Sequence, residues 1–410
     1  MNIDDVVSKL INGEIKLYEV EKLVGDVNRA AEVRRTFLEK VVGVQLKNIG
    51  YFSMDLNVTA KRNIENPIGV GQIPMGVAGP LRVKGDYADG YYYIPLCTTE
   101  GALIASVNRG CSAITESGGA RAKVIRDYMA RAPLFITPSV EHAYKLVQWV
   151  KENIKEIEEV FNSVDPFVKL IDVQPWIVGR NVWLRFTANT FDAMGMNGVT
   201  LACDRVGKFI EERVKFARIV SLSGNLCVDK KPSAVNWLLG RGKTVIAEAI
   251  IKREITMDKL KTTPEDVVDV CIRKNLLGSG LAHAYGLNAH AANIVAAIFI
   301  ATGQDCAQVV ESSMAITTAE VTPEGDLYIS ITMPSLEIAT VGGGTGLPTQ
   351  REALAIMGCA GPGNPPGSNA KKFAEILASA CLAGELSLLS ALSAGHLAQA
   401  HARLGRAARA

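Results

Sequence analysis

The stretch Ile376-Leu-Ala-Ser-Ala-Cys-Leu-Ala-Gly-Glu-Leu-Ser-Leu-Leu-Ser-Ala-Leu-Ser-Ala-Gly395 is the most apolar in the chain, and whether it lies in a bilayer or in a protein core decides the fold. It is long enough to span a membrane. Glu385 at its middle would cost roughly 2.5–3.5 kcal/mol there, however, and the Ser, Ala and Gly around it recover little of that. The stretch therefore reads as a buried helix inside a soluble protein. The rest of the composition agrees, because 410 residues that are 48% hydrophobic and 21% charged suit a compact chain of two or three domains and exclude general disorder. Lys plus Arg (44) nearly balance Asp plus Glu (42), and no basic block is long enough to track a phosphate backbone, so nucleic acid is excluded as a partner. The first twenty residues hold no apolar run of signal-peptide length. Eight scattered cysteines show no CxxC pair and no zinc-finger histidine spacing, which predicts reduced thiols, no metal and a cytoplasmic location.

Working back from that helix, the chain divides by pattern. Helical spacing of Val6 and Leu10, of Val20, Leu23 and Val24, and of Phe37, Val41 and Val42 predicts a small helical N-terminal domain, residues 1–64. Gly and Pro from Asn66 to Pro80 read as a run of turns that opens a larger domain, residues 65–132 and 223–410. Between its two parts lie a helix-like segment, His142 to Phe161, and strand-like runs Phe167 to Val173 and Val182 to Phe186 joined through Gly179 and Arg180. A helix, about Met194 to Phe216, and a strand, Ile219 to Leu222, follow. This order predicts a split βαβ sheet inserted as residues 133–222; the alternative is that these elements continue the large domain. The fold class is thus α+β.

No G-x-G-x-x-G fingerprint is complete, which argues against a Rossmann domain. Asp192-Ala-Met-Gly-Met-Asn197 falls between a strand and a helix, where Gly195 allows close backbone approach to a phosphate; a Met-rich core turn is the competing reading. Asp229-Lys-Lys-Pro232 follows a strand, so it either aims cations into a cleft or is an exposed lysine pair. Glu100 is accounted for by helix capping, and Asp305 is either a cap or a group of shifted pKa. His396 and His401, five residues apart, lie on different faces of a helix and cannot chelate together.

Taken in order, Glu65-Asn-Pro-Ile-Gly69, Thr98-Thr-Glu-Gly101, Asp192 to Asn197, Ser223-Gly-Asn225, Asp229-Lys-Lys-Pro232, Asn288-Ala-His290, Gly303-Gln-Asp305, Thr340-Val-Gly-Gly-Gly-Thr345 and Ala383-Gly-Glu-Leu-Ser387 resemble class I 3-hydroxy-3-methylglutaryl-CoA reductase in its soluble archaeal-type form. The resemblance implies reduction of the thioester to mevalonate and free CoA with two NADPH. It implies Glu100, Lys230, Asp305 and His401 as the catalytic set. Lys230 would stabilise each oxyanion, Asp305 would hold Lys230 and tune its pKa, Glu100 would supply a proton if burial raised its pKa, and His401 would protonate the departing thiolate. Arg131, Ser223, Asp229, Lys231, Lys274, His290, Asn293 and Leu388 fall at the hydroxymethylglutaryl site, with Ser106, Asn108 and Arg109 near the CoA arm. Asp192, Met194, Gly195, Met196 and Asn197 fall at a cofactor site carried by the ferredoxin-like, non-Rossmann insert. The family also implies a homodimer or homotetramer with its active site at the subunit interface, and no membrane anchor in this portion.

Three features depart from the family pattern. Asp165-Pro166 stands where a Ser/Thr-Arg pair often meets the 2′-phosphate, so preference for NADPH over NADH is expected to be modest. Gly198 replaces a methionine, and Ala407 replaces the serine phosphorylated in animal members. The rival functions are a CoA-thioester hydrolase or lyase and a catalytically silent CoA-binding scaffold, and the four catalytic candidates argue against the scaffold.

Overall fold

A computed structural model describes residues 2–395, and its backbone packing separates two compact units, one running to Pro74 with Gly346–Thr349 added and the other comprising the rest. In the first unit, helices Ile3–Ile11, Val20–Val24 and Val27–Val42 bury Val6, Val7, Leu10, Val20, Ala30 and Val33 against one another. Arg34, fully buried, donates to the carbonyls of Leu17 and Pro67 and pairs with Glu21 at 3.1 Å. The Glu65–Gly69 motif is thereby a joint of this unit, with the Ile68 carbonyl held at 2.7 Å by Arg35. A Cβ on Gly69 would lie 2.1 Å from the Ile49 carbonyl oxygen, so the close approach requires glycine.

The second unit is built on ten strands: β1 Met75–Gly85, β2 Asp89–Cys97, β3 Ala120–Arg131, β4 Leu134–Ile136, β5 Lys169–Val178, β6 Asn181–Asn189, β7 Arg218–Ser221, β8 Gly242–Ile251, β9 Ile316–Val321 and β10 Leu327–Leu336. Their main order is β7-β4-β6-β3-β8-β10-β9, with β1 beside β3, β2 beside β1 and β5 beside β6; every pairing except β1 with β3 is antiparallel. The Gly/Pro run expected as turns is therefore partly a strand, whose pairing with β2 shifts register between Ala78 and Leu81 around Gly79-Pro80.

Strand β3 joins two hydrophobic cores. Its first part pairs with β8 on a large core, and its last residues, Met129 to Arg131, pair with β6 on a smaller one. Around the smaller core the chain runs β4, helices, β5, β6, helix, β7 with strand order β7-β4-β6-β5, the split βαβ pattern. The single helix expected over 142–161 is two, Val140–Glu152 and Ile154–Asn162. Asn153 divides them by turning its amide back onto the Trp149 carbonyl at 2.8 Å.

Helix Ser368–Ser393 threads the large core, packing on β3, β8 and β10 and on helices Leu103–Glu116 and Ala291–Thr302. Between Phe373 and Ala391 every residue is buried except Leu388. Its two acids are satisfied by backbone donors. Glu375 accepts from the amides of Asp86, Tyr87 and Ala88 at 3.1, 2.9 and 2.7 Å. Glu385 accepts from Ala289 and His290, both at 2.7 Å, and from the Thr317 hydroxyl at 2.8 Å. A buried carboxylate that receives three donors is an anchor, and each such bond contributes about 1.5–3 kcal/mol.

Candidate active site

The loop between β7 and helix Ala234–Leu239 crosses the junction of the two cores. The Trp183 indole fixes its start by donating to the Gly224 carbonyl at 2.7 Å. Asn225, Val228 and Lys230 then adopt left-handed backbone with φ of 62°, 48° and 62°, each costing on the order of 1–3 kcal/mol. Buried side chains hold the loop in this shape. Asn236 donates to the Val228 carbonyl at 2.8 Å, Gln308 donates to Asp229 Oδ1 at 2.8 Å, and Glu311 Oε1 accepts the Lys230 amide at 2.6 Å.

The outcome is an ion pair between Lys230 Nζ and Asp305 Oδ2 at 3.2 Å, half open to solvent. Of the two readings of Asp305, the cap is the one observed, its other oxygen accepting the Ala307 amide at 3.0 Å at the start of the short turn that follows. Gly303, left-handed at φ 71°, lets the chain turn into Asp305, and a Cβ there would meet the Gly344 carbonyl oxygen at 2.2 Å. The Gly-rich loop is thus packing that seats the carboxylate.

Beside this pair, Arg131 at the end of β3 donates to Thr200 Oγ1 at 3.0 Å and Ser223 Oγ at 3.2 Å, and faces Asp229 Oδ2 at 3.6 Å. Burial pushes the Asp229 carboxyl up, but Arg241, Gln308 and Arg131 together hold it below its ordinary value. The Cys227 thiol, buried 3.7 Å from Ser223 Oγ, is likewise pushed up by burial and brought below its usual value by Ser223 and the two arginines. Lys231 is exposed, and among the described residues its ammonium reaches the Asp229 carbonyl, at 3.0 Å.

A second group forms elsewhere. Glu100 does not cap the helix after it, whose N-cap is Ala102 without a side-chain bond; its carboxylate is exposed and reaches Asn293 Nδ2 at 3.5 Å. Asn293 lies 3.3 Å from His290 Nδ1, and His290 Nε2 lies 2.8 Å from the Gly384 carbonyl. A carbonyl only accepts, so Nε2 carries the proton and Nδ1 accepts from Asn293. Arg109 donates to the Ser387 carbonyl at 2.6 Å, Ser106 to Ser387 Oγ at 2.9 Å, and Asn108 Oδ1 accepts the Gly79 amide at 3.0 Å. Leu388 opens the buried helix to the surface next to Ser387, while Lys274 stands exposed on the π-helical turn Cys271–Gly278 with no bond to either group.

These two groups do not meet within one chain. Asn293 sits in the first turn of helix Ala291–Thr302 and Asp305 just past its end, so most of a helix about 18 Å long separates their anchors. Because Glu100 is exposed, the burial on which its expected proton-donor role depends is not supplied by the described residues of its own chain. His401 and His396 lie outside the described residues.

The Asp192–Asn197 segment is both core turn and open backbone. The Asp192 carboxylate accepts the amides of Gly363, Gly367 and Ala370 at 2.9, 2.7 and 2.9 Å, which ties the segment to the start of helix Ser368–Ser393. Met194 is partly buried and Met196 buried. Gly195, left-handed at φ 80°, opens helix Met196–Arg213 without a side-chain cap, and Asn197 is exposed beside it.

Sequence reasoning missed Arg241, Glu311 and Glu337, which lie under the Lys230 loop. Among the described residues, Asp229, Glu311 and Glu337 are close enough to chelate a metal, but Arg241 Nη1 fills that position at 3.2, 3.2 and 2.6 Å from them. Arg241 and Glu337 flank strands β8 and β10 and Glu311 lies in the short helix Val309–Ser312; isolated charges of this kind carry no spacing signal, so only the folded chain reveals them.

The hydroxymethylglutaryl-coenzyme A reductase family profile matches residues 30–406. The 3-hydroxy-3-methylglutaryl-coenzyme A reductase of Pyrococcus abyssi is 62% identical over 99% of this chain and 100% of its own. That of Aeropyrum pernix is 58% identical over 98% and 96%. The fold is similar to a class II enzyme from Streptococcus pneumoniae solved with NADPH in open conformations, at TM-score 0.67 and 18% identity, covering 88% of this chain and 96% of that one. With the ordered motifs lying in this geometry and the match extending over nearly the whole sequence, the chain belongs to the hydroxymethylglutaryl-coenzyme A reductase family.

Proposed function

We propose that this chain reduces 3-hydroxy-3-methylglutaryl-CoA to mevalonate and free CoA, as a class I member of its family working as a homodimer or homotetramer. The observation that carries the reading is the Lys230–Asp305 ion pair, held on a strained loop beside Arg131, Ser223 and Asp229. An ammonium fixed by a carboxylate is a preorganised partner for an oxyanion, and each of two reductions forms one. Arg131 and Lys231 supply cations for the substrate carboxylate. Glu100, oriented by Asn293, gives a proton to the aldehyde oxygen, and His401 protonates the leaving thiolate.

The cofactor is a nicotinamide dinucleotide, which supplies hydride when bound. The residues fit it, because the uncapped start of helix Met196–Arg213 offers free amides to a phosphate and Gly195 leaves room for close approach. Residues 133–222 form the domain that carries this site, residues 65–132 and 223–410 the substrate domain, and residues 1–64 the helical domain. The separation of the Glu100 and Lys230 groups along one helix supports an active site completed by a second subunit.

Mixing the purified protein with the thioester and NADPH or NADH, while following nicotinamide absorbance and free thiol, tests the reading. Two nicotinamides oxidised per thiol are expected. Thiol release without oxidation would make the chain a hydrolase, and no thiol release would make it a scaffold.

A further inference from the structure

The structure assigns Glu311 a role no motif announces: we propose that it is a positioning residue, tied through Arg241 to Asp229 and Glu337, that locks the left-handed Lys230 turn and so aims the ammonium at Asp305. The inference rests on the reading of Lys230 as the oxyanion partner. Glu311, Glu337 and Arg241 are 0, 1 and 0% exposed. Arg241 Nη1 lies 2.6 and 2.7 Å from the two Glu337 oxygens and 3.2 Å from Glu311 Oε1, and its Nε donates to the Ala130 carbonyl at 3.2 Å. Arg241 is therefore fixed to β3, the strand that ends in Arg131. Glu311 Oε1 accepts both Arg241 and the Lys230 amide, whereas Oε2 has no hydrogen-bond partner among the described residues.

A buried carboxylate with one orphan oxygen is an expensive arrangement for stability alone, and an apolar side chain would often serve better. It makes sense if Oε1 is needed where it is. Lys230 holds φ 62° without being glycine, so its peptide relaxes once the amide loses its acceptor. Three carboxylates surround one buried guanidinium, and burial pushes both Glu311 and Glu337 above their ordinary values, so the cluster can keep a proton without losing the acceptor that holds Lys230.

Glu311→Met keeps the volume and removes the acceptor, while Glu311→Gln keeps an amide oxygen that can take the Lys230 N–H. Both are compared with the unsubstituted full chain. In the Met variant, kcat for thioester reduction per folded molecule should fall about ten- to a hundredfold, with the KM for nicotinamide unmoved. Acylation of Lys230 relative to Lys231 by an amine-reactive label, read by mass spectrometry, should rise severalfold. Gln should restore both readouts to within about threefold. Unchanged kcat and labelling in the Met variant, or a Gln variant as impaired as Met, overturns the proposal. Hydrogen exchange at the Lys230 amide in the unsubstituted protein gives a measurement that needs no variant. Protection like that of a strand supports the lock, and exchange at the rate of an open loop overturns it. If the unsubstituted protein oxidises no nicotinamide, the functional reading fails, while exchange and labelling still decide the role of Glu311.

Discussion

Lys230 and Lys231 are adjacent cations with different surroundings. Lys230 is turned by its left-handed backbone onto Asp305, and Lys231 extends into solvent with one backbone contact. Replacing Lys230 by Ala should abolish both hydride transfers, since loss of one preorganised donor to an oxyanion costs about 2.7–4 kcal/mol. Lys231→Ala should mainly raise the KM for the thioester. Steady-state kinetics with the thioester and with mevaldehyde check this, and the reverse pattern would exchange the roles of the two lysines. The pair was legible in the sequence as a loop after a strand, and Asp305 as a carboxylate behind an apolar helix. Arg241, Glu311 and Glu337 were not, because a buried charge has its meaning in its partners, and Arg241 meets Asp229, Glu311 and Glu337 at separations of 12, 70 and 96 residues.

At the scale of elements, the hydrophobic pattern identified helix Met196–Arg213 to within three residues and hairpin β5–β6 to within five, whereas the long apolar helix begins at Ser368, eight residues before the apolar run that announced it. It failed where a local side chain overrode it, at Asn153, and where Gly79-Pro80 bent a strand instead of ending it. Two sequence departures prove to be one feature in space. A Cβ on Gly198 would lie 3.1 Å from Asp165 Oδ2 and 2.7 Å from Val168 Cγ2, so the small residue makes room for the Asp165-Pro166 loop against the start of helix Met196–Arg213. A carboxylate there occupies the favourable end of the helix dipole and opposes a second phosphate. Replacing Pro166 by Arg should therefore raise kcat/KM for NADPH relative to NADH, by up to about fivefold for an exposed cationic contact. An unchanged ratio would mean that this loop does not face the 2′-phosphate.

For the whole molecule, the linear order of the motifs does not reveal that they gather in two places within one chain. Glu100, Asn293, His290, Ser106 and Arg109 assemble around one end of helix Ala291–Thr302, and Lys230, Asp305, Asp229 and Arg131 beyond the other end of this helix, which is about 18 Å long. One reaction cannot use both groups of a single chain, but a two-fold dimer can set the Glu100 group of one protomer against the Lys230 group of its partner, producing two equivalent composite sites. Glu100→Gln and Lys230→Ala should then each be inactive alone and regain activity when mixed under conditions that exchange subunits. Random assembly makes half the dimers mixed, and each mixed dimer holds one site with both groups intact and one with neither, so about a quarter of unsubstituted activity is expected. Coexpressing the two variants with different affinity tags and purifying through both isolates the mixed dimers, whose activity should approach half. Mixed dimers no more active than either parent would place Glu100 and Lys230 in the same protomer's site and require the helix between them to be bypassed by a rearrangement of the chain.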